Sequence, residues 1–97
     1  LEETGTSLKA VSTIFLAGGF GTYVRPESAL RIGLLPAVGV NRIESIGNAA
    51  GAGAARTLVD RDSLAEAVDL VNRCRYLELS GSAVFQTAYI DHMVFPA

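Results

Sequence analysis

Apolar and polar positions recur with different periods along the chain, and each change of period marks an element. Val11, Ile14, Phe15 and Leu16 form an apolar run rich in β-branched and aromatic residues, without regular polar alternation. This pattern predicts a strand over residues 11–17, buried on both faces in a parallel or mixed sheet. The run breaks at Gly18-Gly19-Phe20-Gly21, which reads as a loop leading toward a helix. Arg25-Pro26-Glu27 has the features of a helix start, because proline is tolerated in the first turn and an acid there complements the positive helix end. The helix continues through Ala29, Leu30 and Ile32 and stops near Gly33, and Pro36 keeps the following apolar connection from being helical.

Arg42-Ile43-Glu44-Ser45-Ile46 alternates and predicts a second short strand, ended by Gly47-Asn48. Asn48 then serves as the N-cap of a helix to about residue 59. That helix contains Gly51 and Gly53 among alanines, and each glycine costs roughly 1 kcal/mol relative to alanine. So little bulk implies that a packed neighbour or a ligand approaches its backbone.

Ser63 with Glu66 forms a capping-box pattern, and Leu64, Ala67, Val68, Val71 and Cys74 share one helical face. Asp60, Asp62 and Glu66 surround this helix start, where acids are favoured electrostatically, and read as capping residues. Tyr76-Leu77-Glu78-Leu79-Ser80 alternates and predicts a half-exposed strand. Phe85, Tyr89 and Met93, four residues apart, predict a final amphipathic helix over residues 82–93. Residues 1–10 read as a helix end or approach loop broken at Gly5.

Composition narrows the function classes. With 49% hydrophobic residues in a chain of 97, the sequence is more apolar than a free-standing domain of this size needs, so it reads as part of a larger domain. No apolar run approaches the ~18 residues of a membrane span. The net charge of −2, from 8 basic and 10 acidic residues scattered along the chain, argues against nucleic acid and anionic lipid as partners. One cysteine makes no internal disulfide and suits a reducing cytoplasm. Leu1-Glu2-Glu3-Thr4-Gly5 lacks the basic and apolar regions of a signal peptide and reads as the continuation of upstream sequence.

The glycines carry the candidate chemistry. Without Cβ atoms, the backbone of residues 18–21 can adopt positive φ and approach a ligand closely, with N–H groups available to an anion. The alternative is a tight turn with no ligand. A dinucleotide fingerprint fits poorly, because Val24 and Arg56 stand where the third glycine of each candidate would be. Gly51 and Gly53 read as packing or cleft-supporting glycines, together with Asn48. Arg25 and Arg31 are the nearest cations, and Phe20 or Tyr23 could pack on a base. Cys74 reads as a buried small hydrophobe, His92 as a surface or satisfied helix residue, and neither belongs to a metal-ligand cluster.

Taken in order, the strand, Gly-Gly-Phe-Gly, Glu-Ser-Ala-Leu-Arg-Ile-Gly-Leu-Leu-Pro, Ser-Ile-Gly-Asn-Ala-Ala-Gly-Ala-Gly-Ala-Ala, Tyr-Leu-Glu-Leu-Ser and Met-Val-Phe-Pro resemble a known family over residues 11–96. The chain resembles the C-terminal end of the reductive activators of corrinoid proteins. In these, an iron–sulfur portion is joined to an ATPase domain of the acetate and sugar kinase, Hsp70 and actin superfamily. The resemblance implies an α/β fold, part of a ribonuclease H-like subdomain, with short parallel strands crossed by helices. Residues 1–10 would be the lead-in, 11–62 the strand, glycine loop and small-residue helix, and 63–97 a terminal helix-strand-helix.

The resemblance assigns Ala17, Gly18, Gly19, Phe20 and Gly21 to the adenosine motif. It implies ATP and Mg²⁺ as ligands of the parent protein, an iron–sulfur cluster outside this chain, a corrinoid protein as partner, and a homo-oligomeric cytoplasmic parent. The chain alone would not be catalytic, since the other phosphate loops and the Mg²⁺-organising acids come from earlier sequence. Two other readings stay open: a kinase of the same superfamily, and a non-enzymatic interaction or dimerisation module built on the final helix.

Overall fold

The computed structural model describes residues 1–96, and two short parallel strands organise it. Strand β1 spans Ile14–Ala17 and β2 spans Ile43–Gly47, with Ile14 opposite Ile43 and Phe15 opposite Glu44. The register slips between Leu16 and Ala17, so Ala17 pairs with Gly47 and Ile46 is the extra residue. A parallel pair requires a crossover, which the segment between the strands supplies. β1 begins at Ile14, later than expected, because Leu8–Ala10 forms a 3-10 turn capped by Ser7.

The crossover carries two short helices. The glycine stretch is itself helical: α1, Gly18–Tyr23, follows β1 with no intervening loop and packs across the ends of both strands. α2 spans Pro26–Arg31 with proline at its start, and Gly33, at φ 79°, ends it as expected. α2 packs on β2 and on the preceding 3-10 turn Val40–Arg42, where Ala29 is 0% exposed. Among the described residues Leu16 and Ile43 are the other buried apolar residues, one from each strand.

After β2, Gly47 at φ 58° turns the chain and Asn48 caps α3, Ala49–Val59, by accepting a hydrogen bond from the Gly51 N–H at 2.9 Å. α4, Arg61–Arg73, starts before the expected cap at Ser63. Asp60 takes that role because its two carboxylate oxygens accept from two donors, the Asp62 N–H at 3.0 Å and the Ser63 hydroxyl at 2.9 Å. An ion pair between Arg56 and Glu66 at 3.2 Å ties α3 to α4. The last helix, α5, spans Ala83–Asp91, with Ser82 accepting from the Phe85 N–H at 3.1 Å.

Three expectations change in the C-terminal half. Leu64, Val68 and Val71 share one face of α4 yet are exposed, because no other element covers that face among the described residues. Cys74 is exposed for the same reason, not buried. Residues 76–80 belong to no sheet, since no strand lies alongside them among the described residues. Met93 falls beyond the end of α5, so Phe85 and Tyr89, with ring centroids 6.1 Å apart, are the aromatic pair the helix carries.

The result is an open structure. Its accessible surface of 7971 Å² exceeds by half the roughly 5,300 Å² expected of a compact chain of this mass. The radius of gyration is 16.2 Å, against about 13 Å for a compact domain of this length. No helix among the described residues is long and apolar enough to cross a membrane.

Candidate functional site

Both strands reach a glycine at the same edge. β1 runs into Gly18 and β2 ends at Gly47, and each of these glycines has positive φ, 67° and 58°. The carboxyl edge of parallel strands is where open α/β sheets place ligands, since the chain turns away on either side and leaves a crevice. Here α1 covers the strand ends, and Ala17, Gly18 and Gly19, where β1 passes into α1, are exposed beside that edge.

The three glycines of α1 do different things. Gly18 needs its left-handed conformation to pass from extended strand to helix, since a side chain there would strain the backbone. Gly19 has no positive φ, and a Cβ added to it would meet nothing within 4 Å. Gly21 is half-buried, and a Cβ there would run into the Leu16 carbonyl and lie 2.8 Å from the Gly47 nitrogen. Gly21 therefore lets α1 sit on the strand ends, while Gly19 has open space around it.

Beside the glycines lies an open apolar hollow of about 240 Å³, lined by Phe15, Leu16, Ala17, Phe20, Leu34 and Leu35. It holds no titratable side chain. Phe20, 60% exposed, forms part of its wall, whereas Tyr23 does not line it. Arg25 is exposed at the N-cap of α2 and forms no ion pair among the described residues. A larger hollow of about 500 Å³ lies elsewhere, between the end of α2 and residues 91–96. Its lining includes Gly33 and the side chains of Asp91 and His92, whereas the smaller hollow adjoins the glycine run through Ala17 and Phe20.

The shifted carboxylates and phenol lie away from the crevice. The Ser63 hydroxyl and the Asp62 N–H hold the Asp60 carboxyl below its ordinary value. The hydroxyls of Ser80 and Tyr76 do the same for Glu78, and Glu78 in turn pushes the Tyr76 phenol up. None of these groups lies within residues 17–21 or lines the apolar hollow. Among the described residues no group of three or more His, Cys, Asp or Glu side chains is gathered to hold a metal.

The model for the C-terminal domain of RACo, the ASKHA domain, matches residues 1–97. The chain belongs to this family. Corrinoid activation enzyme RamQ of Eubacterium limosum is 30% identical over 94 residues, which cover 97% of the chain and 16% of RamQ. The chain thus spans about a sixth of that relative's length. Within this RACo-type ASKHA domain, Ala17, Gly18, Gly19, Phe20 and Gly21 meet at one edge of the sheet, with Gly21 turned toward the strands.

Asn48 and Gly51 stand at the neighbouring strand end, occupied with each other through the α3 cap, and Gly53 faces open space further along α3. Sequence reasoning passed over Thr22. Its hydroxyl donates to the Gly18 carbonyl at 3.3 Å and would stand 3.8 Å from a Cβ added to Gly47, so it lies near both strand ends. A threonine four residues after a glycine carries no signal of its own in a sequence.

Proposed function

We propose that this chain is the adenosine-facing C-terminal portion of a protein that uses ATP to drive reductive activation of a corrinoid protein. The observation that carries the reading is the exposed Gly18-Gly19 backbone at the carboxyl edge of the sheet, in a chain of the RACo C-terminal family. The corrinoid partner follows from the similarity to RamQ. ATP bound against Ala17, Gly18 and Gly19 would lie with its base toward the apolar hollow and Phe20. ATP supplies the free energy of phosphate release, and this chain's residues supply only its seat.

The fit is steric. Gly19 offers open space where any side chain would project, and the lining of the hollow is apolar, as a base requires. Electrons would arrive from an iron–sulfur portion of the full-length protein, since clusters are held by several thiolates and Cys74 is the only cysteine here. In this reading the protein is cytoplasmic and homo-oligomeric.

The test is calorimetric titration of ATP and ADP into the full-length protein, comparing wild type with Gly19→Val. Gly19 has ordinary φ and open surroundings, so the variant should fold. Binding weakened by roughly tenfold or more, equivalent to about 1.4 kcal/mol, supports the assignment. Unchanged binding overturns it and leaves the glycines a structural turn in an interaction module.

A further inference from the structure

Residues 74–79 run from the end of α4 with no helix, turn or bend. Cys74 is already extended, at φ −78° and ψ 143°. Side chains two apart lie together: the Glu78 carboxylate accepts from the Tyr76 hydroxyl and from the Ser80 hydroxyl and N–H. That period of two is the signature of a strand. Leu77 and Leu79, of the opposite parity, are 37% and 38% exposed, whereas Tyr76 is 83% exposed.

No backbone N–H of residues 75–79 donates to a backbone carbonyl among the described residues, and the first such bond after them is Ser82 N–H to the Leu79 carbonyl at 3.0 Å. A segment free of helix, turn and bend, with strand alternation and with N–H groups that find no backbone partner among the described residues, is a template for pairing. We propose that residues 75–79 form a β-strand whose partner is a strand supplied by the remainder of the same full-length polypeptide.

The occupant is argued from area and distribution. The accessible surface exceeds the compact expectation by roughly 2,700 Å², the size of one side of an interface at the upper end of the obligate range. Exposed apolar residues are spread over Phe15, Leu58, Val68, Tyr76, Ile90 and Phe95, on elements from one end of the chain to the other. A two-fold contact between copies covers one self-complementary patch and would leave most of these in water. A polypeptide of which this chain is a minor part, as in RamQ, can surround all of them. The proposal is independent of nucleotide binding.

Hydrogen exchange of the full-length wild-type protein, read at single-residue resolution, tests it. At least two of the amides of residues 75–79 should exchange on the order of a hundredfold or more slower than an unstructured chain, equally at low and high protein concentration. Exchange at unstructured rates overturns the proposal. Protection that grows with concentration along with dimer formation also overturns it, and assigns the pairing to a second copy.

Discussion

Gly21 faces the amide nitrogen of Gly47 so closely that an added Cβ would lie 2.8 Å from it. This contact seats α1 on the ends of the parallel strands, and it separates two glycines that look alike in sequence. Gly21→Ala forces α1 off the strands and should destabilise the full-length protein by about 1–3 kcal/mol, as overpacking does. Gly19→Ala meets nothing and replaces a poor helix former, so denaturant unfolding should show it unchanged or stabilised by up to about 1 kcal/mol. Equal destabilisation by both substitutions would show that α1 does not sit as described.

Gly33 answers to two demands at once. Its φ of 79° is disfavoured for L residues, and a Cβ there would come 2.8 Å from Pro96 Cγ. Gly33→Ala should therefore cost about 1–2 kcal/mol from the backbone alone, with the clash added. In a double-mutant cycle, Pro96→Ala should recover the clash and leave the backbone cost. Full additivity of the two substitutions would mean that the end of the chain does not rest on Gly33.

Much of the N-terminal half was legible because local signals there decide structure, but the glycine stretch expected as a loop is helix α1, and β1, expected to be buried on both faces, buries only Leu16. Proline at the start of α2, glycine at its end, alternation in β2 and asparagine before α3 each work within a turn or two of their own position. The C-terminal half was less so. Leu64, Val68, Val71 and Cys74 do share a face, as their spacing requires, but spacing cannot say whether anything lies against that face. Residues 76–80 have the strand alternation, while the partner that makes a sheet is a matter of tertiary structure. At the site, the run of glycines was visible, but their division of labour depends on φ and on what stands opposite each Cα. The cap moved from Ser63 to Asp60 because the Asp60 carboxylate accepts from both the Asp62 N–H and the Ser63 hydroxyl, which makes Ser63 a donor to the cap.

Asp60 makes the α3–α4 junction sensitive to acid. Its carboxyl is held below the ordinary 3.8, chiefly by the Ser63 hydroxyl, then by the Asp62 N–H, with Arg56 adding attraction. A depressed folded-state value stabilises the fold above the unfolded-state value, and the contribution is lost as pH falls through the folded one. Asp60→Asn keeps a capping oxygen without the titrating charge. The stability advantage of wild type over this variant should thus be constant near neutrality and shrink as pH falls below about 4. Urea unfolding at a series of pH values reads it, and an advantage that grows on acidification would contradict the assignment.

Asn48 and Gly51 should prove energetically coupled. The Asn48 side chain accepts from the Gly51 N–H at 2.9 Å, and a Cβ on Gly51 would come 2.8 Å from Asn48 Cγ. Asn48→Ala loses the cap, at a cost of about 1 kcal/mol. Gly51→Ala gains about 1 kcal/mol of helix propensity but displaces the same cap, so alone it should be close to neutral. With Asn48 already alanine there is no cap to displace, and Gly51→Ala should then stabilise by close to 1 kcal/mol. The double-mutant cycle therefore predicts a coupling near 1 kcal/mol. If Gly51→Ala is instead strongly destabilising in both backgrounds, the small residue answers to a neighbour packed on α3 in the full-length protein, not to its own cap.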